Sequence, residues 1–476
     1  MRWKYLTLAT ALAVASMPSH GEDLLDALQQ ATANDPVLAQ AGAQLRSVQE
    51  NVPQARAQLL PQISAGMTLS QASGNNSSSS SSSSYLGSGS NYLCNGLTAG
   101  TGTYDCSELT DTGSTAVARG HTRTRDVSAT LNQTIFNMAK FADLKAAHAQ
   151  VRAQNDTYDA ALQSMYVNVA TAYFNVLTDE DALQYAKASE DAYRRSYDQA
   201  SAQFKAGVAA ITASLQAKAS YEAAKAQTIT AQNTLDDARE ALRQLTDQPV
   251  GTLKKLRDEI PLDPPTPNDP QDWVRMAQDH NPTLAADRNT VEAADHDISA
   301  ARAGHLPTIS ATITRGKDSS WFEHGSSADI SGNGRYGTTI GVTLSVPIFS
   351  GGAIQSQVRQ SIANRDEAQD SAESDRRQVV RNTLNYYRSV LAGISEVQSA
   401  RASLDASRKS LEATRAGYGV GTQTMTDVLL AIQTLSSSEN SYSQARHQLV
   451  LDELLLKQAA GTIGPQDMAE VNSLLQ

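Results

Sequence analysis

The side chains that could perform chemistry in this sequence are scattered. None of the eight histidines stands at the H-x₃-H spacing that many zinc sites use. We also find neither the nucleophile elbow of the hydrolases nor a phosphate-binding Walker loop. The residue pattern therefore predicts that this protein is not an enzyme and binds no cofactor or structural metal.

One glycine motif resembles a cofactor-binding site, because Gly332, Gly334 and Gly337 match the G-x-G-x-x-G pattern of dinucleotide-binding sites. That fingerprint requires a strand before the glycines and a helix after them. Here the preceding residues have loop composition and a predicted strand follows. We interpret the segment as a glycine-rich loop.

The two cysteines, Cys94 and Cys106, lie close together in a stretch rich in glycine and serine. In an exported protein such a pair favours a disulfide bond, and two unreactive free thiols are the alternative. Export is expected because residues 1–21 have the order of a signal peptide, with Arg2 and Lys4 before an apolar segment and small residues at its end.

The net charge and the hydropathy argue against a nucleic-acid-binding protein and against a protein with membrane-spanning helices. The formal net charge is −11, so the basic footprint of a nucleic-acid-binding protein is absent. Beyond the signal peptide no apolar run reaches the roughly 18 residues of a membrane-spanning helix. The exported chain is therefore predicted to be soluble or to cross a membrane as β-strands.

Several short sequence motifs occur once in each half of the chain. The sequence LPQIS at 60–64 recurs as LPTIS at 306–310, TIF at 134–136 as PIF at 347–349, and GVAAIT at 207–212 as GTQTMT at 421–426. We predict two structural repeats, residues 22–260 and 271–476, joined by a proline-rich linker at 261–270. Each repeat is expected to run helix, strand, loop, strand, long helix, helix.

Four segments alternate apolar and polar residues with the period of a β-strand, at about 62–70, 126–136, 307–315 and 338–349. Their polar faces are small, neutral and rich in hydroxyl groups, which suits a watery lumen with lipid on the other side; a soluble sandwich is the alternative. Four strands cannot close a barrel, so several copies of the chain would have to pool them. The intervening segments, 71–120 with its serine run and 316–337, are predicted to be solvated outer loops.

The helical segments are unusually long. Residues 138–206 contain neither proline nor glycine, and residues 353–416 contain only Gly393; each would span roughly 100 Å. In the second segment Val397, Leu404, Leu411 and Tyr418 recur every seven residues, which predicts coiled-coil packing. With the helices that follow, we expect long helical pairs over about 138–247 and 353–460.

Taken in order, these motifs resemble the TolC family of outer-membrane factors over essentially the whole exported chain. The motifs that carry the resemblance are LLPQI at 59–63, QTIFN at 133–137, AYFNVL at 172–177, GHLP at 304–307, VPIFSGG at 346–352 and YGVGT at 418–422. The resemblance implies a mainly α-helical homotrimer. It would have a twelve-stranded β-barrel in the outer membrane of a Gram-negative bacterium, four strands per protomer, and a twelve-helix α-barrel reaching into the periplasm.

The same resemblance implies a function and partners. The trimer would be the passive exit duct of a tripartite efflux pump or a type I secretion system, docking on a periplasmic adaptor (a membrane fusion protein) and on an RND or ABC transporter of the inner membrane. The duct would open at its periplasmic helix tips. The residues that would contact the adaptor are Gly207, Val208, Ala209, Gly421 and Thr422.

The family lock at the closed end is only partly present. Tyr418 and Thr212 match its tyrosine and threonine, whereas Ala213 replaces a bonding aspartate and Gln423 replaces an arginine. Asp427 matches the first of two aspartates that ring the pore, and Leu430 replaces the second. We predict closure by fewer charged links, with a partly apolar constriction at Leu430 and a possible cation site at an Asp427 ring. For Asp427, a solvated surface acid or a helix cap is the alternative.

The residues alone leave two alternative classes of protein, a surface adhesin and a periplasmic adaptor. A surface adhesin could display the serine-rich loop, but it would not need a duplicated helix of about 100 Å. A periplasmic coiled-coil adaptor would lack the four alternating strands.

Overall fold

The computed structural model describes the backbone of residues 22–77, 92–97, 104–108, 117–323 and 332–476, and side chains within 22–71, 123–319 and 334–476. The predicted signal peptide and residues 78–84 of the serine run lie outside these ranges. The chain forms two compact units. Of the described residues, those within Met1–Gln54, Ala142–Arg302 and Gly352–Gln476 form a helical unit, and those within Ala55–Phe141 and Ala303–Gly351 form a sheet unit. Each unit therefore takes residues from both predicted repeats.

The sheet unit is built from antiparallel strands in the order β1-β4-β5-β7, with a short β6 on β5 and a separate β2–β3 pair. The strands are β1 Gln62–Ser77, β2 Tyr92–Leu97, β3 Tyr104–Glu108, β4 Val117–Phe136, β5 Thr308–Glu323, β6 Gly332–Asn333 and β7 Gly337–Ser345. The four main strands come from the four predicted segments. The β4–β5 ladder joins the two halves of the chain.

The strands differ from the predictions at their ends. Residues 71–77 and 117–120 were predicted as solvated loop but continue the β1–β4 ladder, together with residues 121–125. Residues 316–323 were also predicted as loop and instead continue β5, paired with β4. Serine, glycine and asparagine side chains do not oppose this pairing, because a ladder is formed by backbone groups. At the other end, β7 stops at Ser345 although residues up to 349 were predicted as strand. Pro347 has no N–H to donate, which explains the earlier end.

The register gives the sheet two different faces. One row across the four strands consists of Ile63, Leu131, Ile313 and Ile340. The adjacent row is Ser64, Thr130, Thr314 and Thr339, with the Thr130 and Thr314 hydroxyls 3.3 Å apart. The predicted alternation of apolar and hydroxyl-bearing faces is therefore present.

The glycine-rich segment lies beside β5. The N–H of Gly334 donates to the carbonyl oxygen of Asp318 over 3.1 Å, and a Cβ atom at this position would collide with that oxygen. The glycine thus permits close approach of two backbones. β7 follows the motif, so the strand–loop–helix context of a dinucleotide site is absent here.

The helices are α1 Leu24–Asn34, α2 Pro36–Gln49, α3 Asn51–Ala57, α4 Met138–Lys205, α5 Ile211–Thr246, α6 Pro270–His280, α7 Pro282–Ala303, α8 Ala353–Gly419, α9 Met425–Ala459 and α10 Pro465–Ser473. Helices α4 and α8 have 68 and 67 residues. At 1.5 Å per residue each is about 100 Å long, as the uninterrupted segments predicted. Among the described residues, no helix combines the length and apolar character needed to cross a membrane.

The heptad positions of α8 face a partner helix. Val397, Leu404 and Leu411 are buried, and α8 packs along α9. Between the two helices the hydroxyls of Ser407 and Ser438 lie 2.9 Å apart, which keeps both polar groups satisfied inside the seam. These contacts hold the turn between α8 and α9 at one end of the pair.

Candidate functional site at the helix tips

The turn from α4 to α5, here called the first tip, ends α4 with a Schellman motif. The N–H of Val208 donates to the carbonyl of Gln203 over 3.0 Å, and the N–H of Gly207 donates to that of Phe204 over 2.9 Å. Gly207 has φ 75°, a left-handed conformation that glycine adopts without strain. The next side chain, Val208, is 76% exposed.

The turn from α8 to α9, the second tip, repeats this geometry. The N–H of Thr422 donates to the carbonyl of Gly417 over 2.9 Å, and the N–H of Gly421 donates to that of Tyr418 over 3.2 Å. Gly421 has φ 83°, and Val420 is 78% exposed. The predicted glycine turns are therefore present in both halves, and each presents an apolar side chain to its surroundings.

The two tips differ in how the following helix begins. At the first tip the N-cap of α5 is Ala210, which has no side-chain hydrogen bond. At the second tip Thr424 and Asp427 form a capping box. The Thr424 backbone N–H and hydroxyl donate to Oδ2 of Asp427 over 2.8 and 2.6 Å. These bonds stabilise the carboxylate and lower the pKa of Asp427 below its ordinary 3.8.

The hydroxyl of Tyr418, the tyrosine of the predicted lock, has a partner that the sequence did not indicate. It donates to Oε1 of Gln203 over 2.5 Å, which ties the last turn of α8 to the last turn of α4. Of the predicted partners, Thr212 is exposed in the first turn of α5, and Ala213 packs against the apolar cluster behind Tyr418. Nothing in the type or spacing of Gln203 distinguishes it in the sequence.

Three predicted gate residues come together on α9 and the turn before it. Gln423, Asp427 and Leu430 line one groove with Thr434 and with small residues of α8. Leu430 is 61% exposed within this single chain. The groove combines a carboxylate, an amide and an uncovered leucine. Asp427 also caps α9, which is the alternative role that the sequence left open for it.

Behind the groove an apolar cluster fixes both tips. Its buried members are Ala192, Ala200, Ala217, Leu411, Met425, Val428, Leu429 and Ile432. The Tyr193 hydroxyl on α4 donates to the carbonyl of Leu429 on α9 over 3.2 Å. The Thr426 hydroxyl donates to Oε1 of Gln216 over 3.1 Å, linking α9 to α5. No sequence pattern indicated the hydrogen bonds of Tyr193 and Gln216, whereas the T-x-x-D spacing of Thr424 and Asp427 is typical of a capping box.

The remaining predicted sites are a disulfide and a cation site. In the β2–β3 ladder the backbone of Cys94 is paired with that of Cys106, although both side chains lie outside the described residues. The disulfide therefore stays a prediction, now with a compatible register. Among the described residues, no group of three histidine, cysteine, aspartate or glutamate side chains could hold a metal within one chain.

Comparison with known proteins gives a consistent result. The family model for the outer membrane efflux protein matches residues 27–248 and 273–462. The outer membrane protein TolC of Escherichia coli strain K12 is 31% identical over 478 aligned residues, covering 99% of this chain and 88% of that protein. The alkaline protease secretion protein AprF of Pseudomonas aeruginosa is 26% identical and covers 71% of this chain and 70% of its own. The crystal structure of the outer membrane protein VceC from Vibrio cholerae has the same fold, with a TM-score of 0.70 at 18% identity over 92% of this chain and 96% of VceC.

Proposed function

This chain belongs to the outer membrane efflux protein family, and from that premise we propose that it is an outer-membrane exit duct for efflux or type I secretion. The observation that carries the proposal is the match along the chain to TolC, which includes the strands and both helix tips. The relatives include a protease secretion protein as well as TolC. Both kinds of export therefore suit this chain, and the transported substrate would be selected by the inner-membrane partner.

The sheet supports membrane insertion of a pooled barrel. Its exposed residues Ile63, Ile340 and Val342 form an apolar face, and the opposite face carries hydroxyl groups. Lipid on the first side and water on the second satisfy both faces. Because one chain contributes four main strands, three copies would supply the twelve of the closed barrel, and their long helices would form the tunnel. The proposed assembly is a homotrimer.

The tips support docking on a periplasmic adaptor. Val208 and Val420 are exposed at adjacent turns. Burying these apolar side chains against a partner would lower the free energy. The surrounding Gly207, Ala209, Gly421 and Thr422 are small, so a partner helix can approach the backbone closely. We assign these residues to the adaptor contact, beyond which an RND or ABC transporter would supply the energy.

The groove at α9 supports a closure mechanism with few charged links. In a trimer Asp427 would form a ring of three carboxylates and Leu430 a neighbouring apolar collar, which impedes ions by dewetting. Within each chain, Tyr418 and Gln203 would hold the tips together without an ion pair. Leu430→Asp should increase closed-state conductance and cation block in planar bilayers, with Leu215→Asp, another exposed leucine, as the control. Unchanged conductance and block in Leu430→Asp would refute the collar.

The function is tested by deleting the gene and measuring drug sensitivity and protein secretion in the same strain. We expect at least one of these exports to fail and to be restored by the wild-type chain. Purified protein should migrate as a heat-sensitive trimer and form ion-conducting channels. Normal export of both kinds in the deletion strain, together with absence of channels, would contradict the proposal.

The docking assignment is tested by photo-cross-linking in cells from a reactive residue at Val208. A matched position is Ile229, which is 66% exposed near the middle of α5. Val208 should give a cross-link to a periplasmic protein that co-purifies with an inner-membrane transporter. Equal cross-linking from both positions would refute a specific contact at the tip.

A further inference from the structure

Four cationic side chains, those of Arg123, Arg125, Arg315 and Lys317, lie on the apolar face of the sheet, near the end where its loops begin. Val127 is paired with Lys317, Ala129 with Arg315, and Arg125 with Ser319. Since side chains alternate between faces, Arg125, Arg315 and Lys317 share the face that carries Leu131 and Ile313. Cations on a lipid-facing surface are costly unless they reach water or an anion.

An apolar groove lies directly beside these cations. It is lined by Ala65, Met67, Val127, Ala129, Arg315 and Tyr336. Met67 and Tyr336 are each 61% exposed. The Lys317 ammonium lies 5.9 Å from the centroid of the Tyr336 ring. The groove therefore combines an apolar floor with two cationic side chains and an aromatic ring at its upper border.

No acidic side chain balances this charge on the same face, among the residues whose side chains the structure describes. Asp126 and Asp318 belong to the same strands, but they are paired with each other on the opposite face. Neither Arg125 nor Arg315 forms an ion pair with a described side chain. The patch is thus positive and apolar at once, which is complementary to a lipid with an anionic headgroup.

The position of the patch along the sheet matches the expected depth of a lipid headgroup. From Ile309 to Lys317, β5 advances eight residues, or about 26 Å, which is close to the height of the apolar band on an outer-membrane barrel. The strands connect to helices at Gln62, Phe136 and Thr308, so Arg315 and Lys317 lie toward the opposite, loop-bearing end. If the chain is the proposed duct, that end faces the outer leaflet. Long cationic side chains reach the interface from such a position.

We propose that this patch binds a phosphorylated lipid of the outer leaflet. One acyl chain would lie in the groove against Met67 and Val127, and phosphate oxygens would accept hydrogen bonds from Arg315 and Lys317. The planar guanidinium matches a phosphate with two parallel N–H donors. This inference rests on the proposed function, because that function orients the sheet in the membrane.

The test uses the full-length trimer in neutral detergent and native mass spectrometry. The probes are diphosphorylated lipid A, the same lipid without its phosphates, and inorganic phosphate alone. The wild type should bind the phosphorylated lipid roughly tenfold more tightly than the dephosphorylated one, since cationic side chains near an anionic headgroup favour binding. The double variant Arg315→Gln/Lys317→Gln should lose most of that preference. Lys218→Gln/Lys225→Gln, on exposed positions of α5, removes the same charge and should retain it.

Equal binding of the two lipids, or an unchanged preference in Arg315→Gln/Lys317→Gln, would overturn the proposal. Displacement of the lipid by millimolar inorganic phosphate would identify a simple anion site and would also overturn it. Heat-sensitive trimer migration of the variants shows that they fold. Channel conductance of the wild type is recorded in parallel. Its absence would count against the duct, whereas normal conductance without phosphate preference would count only against the lipid site.

Discussion

The two helix tips share one backbone design and differ in their side-chain bonds. Both end a long helix with a Schellman motif and a left-handed glycine, Gly207 or Gly421. After the turn, the second tip gains the Thr424 and Asp427 capping box, whereas Ala210 caps the first tip with no side chain. The turn is thus common to both halves, whereas the capping bonds occur only at the second tip, beside the groove of Asp427 and Leu430. The second tip therefore has side-chain bonds that stabilise the start of its following helix, and the first tip has none at its N-cap.

The largest expected effect comes from replacing the left-handed glycine that both tips share. Gly207→Val and Gly421→Val should each destabilise their own tip by about 1–2 kcal/mol, because a β-branched residue is strained at positive φ. Hydrogen–deuterium exchange of the turn amides should accelerate about tenfold in either variant. Gly419→Ala is the control, because that residue lies within α8 and a Cβ there meets no atom within 4 Å. A large effect at only one tip would show that the turns are not equivalent.

The next largest effect is expected from changing the N-cap residues, which differ between the two tips. Thr424→Ala removes an N-cap and should cost about 1 kcal/mol, seen as faster amide exchange in the first turn of α9. Ala210→Ser should act in the opposite direction by supplying a cap to α5. Thr212→Ala, next to the first tip and with an exposed side chain, should change neither turn. If Thr424→Ala had no effect, the capping box would not account for the difference between the tips.

A similar or smaller effect is expected for the bond that joins the tips. Tyr418→Phe leaves Oε1 of Gln203 without its donor and should weaken the contact by about 1 kcal/mol. In planar bilayers this should appear as roughly fivefold more frequent brief openings of the closed channel. Tyr221→Phe serves as a control, since that ring stacks on Tyr197 and its hydroxyl takes no part in the Tyr418–Gln203 bond. Unaltered gating in Tyr418→Phe would show that this bond does not hold the closed state.

The smallest effect is a pH dependence confined to the second tip. The pKa of Asp427 is lowered by hydrogen bonds from Thr424, so its stabilising contribution is present at neutral pH. That contribution is lost as the pH falls below about 4 and passes through the folded-state pKa. Exchange in the first turn of α9, corrected for intrinsic rates, should then rise relative to the first turn of α5. The same rise in Thr424→Ala would disprove the link to the capping box.

Sequence patterns predicted much of the sheet and helices because their periods are local. Apolar residues at every second position predicted the faces around Ile313 and Ile340, and seven-residue spacing predicted the burial of Leu404 and Leu411. The ends of the strands were missed, because the pairing of residues 71–77 depends on backbone bonds to a partner strand. No side-chain pattern records such a partner.

For the candidate site, the sequence by itself determined the glycine turns, since only a residue without a Cβ adopts positive φ freely, as Gly207 and Gly421 do. It also determined which side chains are available to the proposed gate, including Asp427 and Leu430. Only the tertiary structure decided that Tyr418 bonds to Gln203, because 215 positions separate them and only the packing of α4 beside α8 brings them into contact. Local periodicity carries no information about such a contact, so helix packing had to decide it.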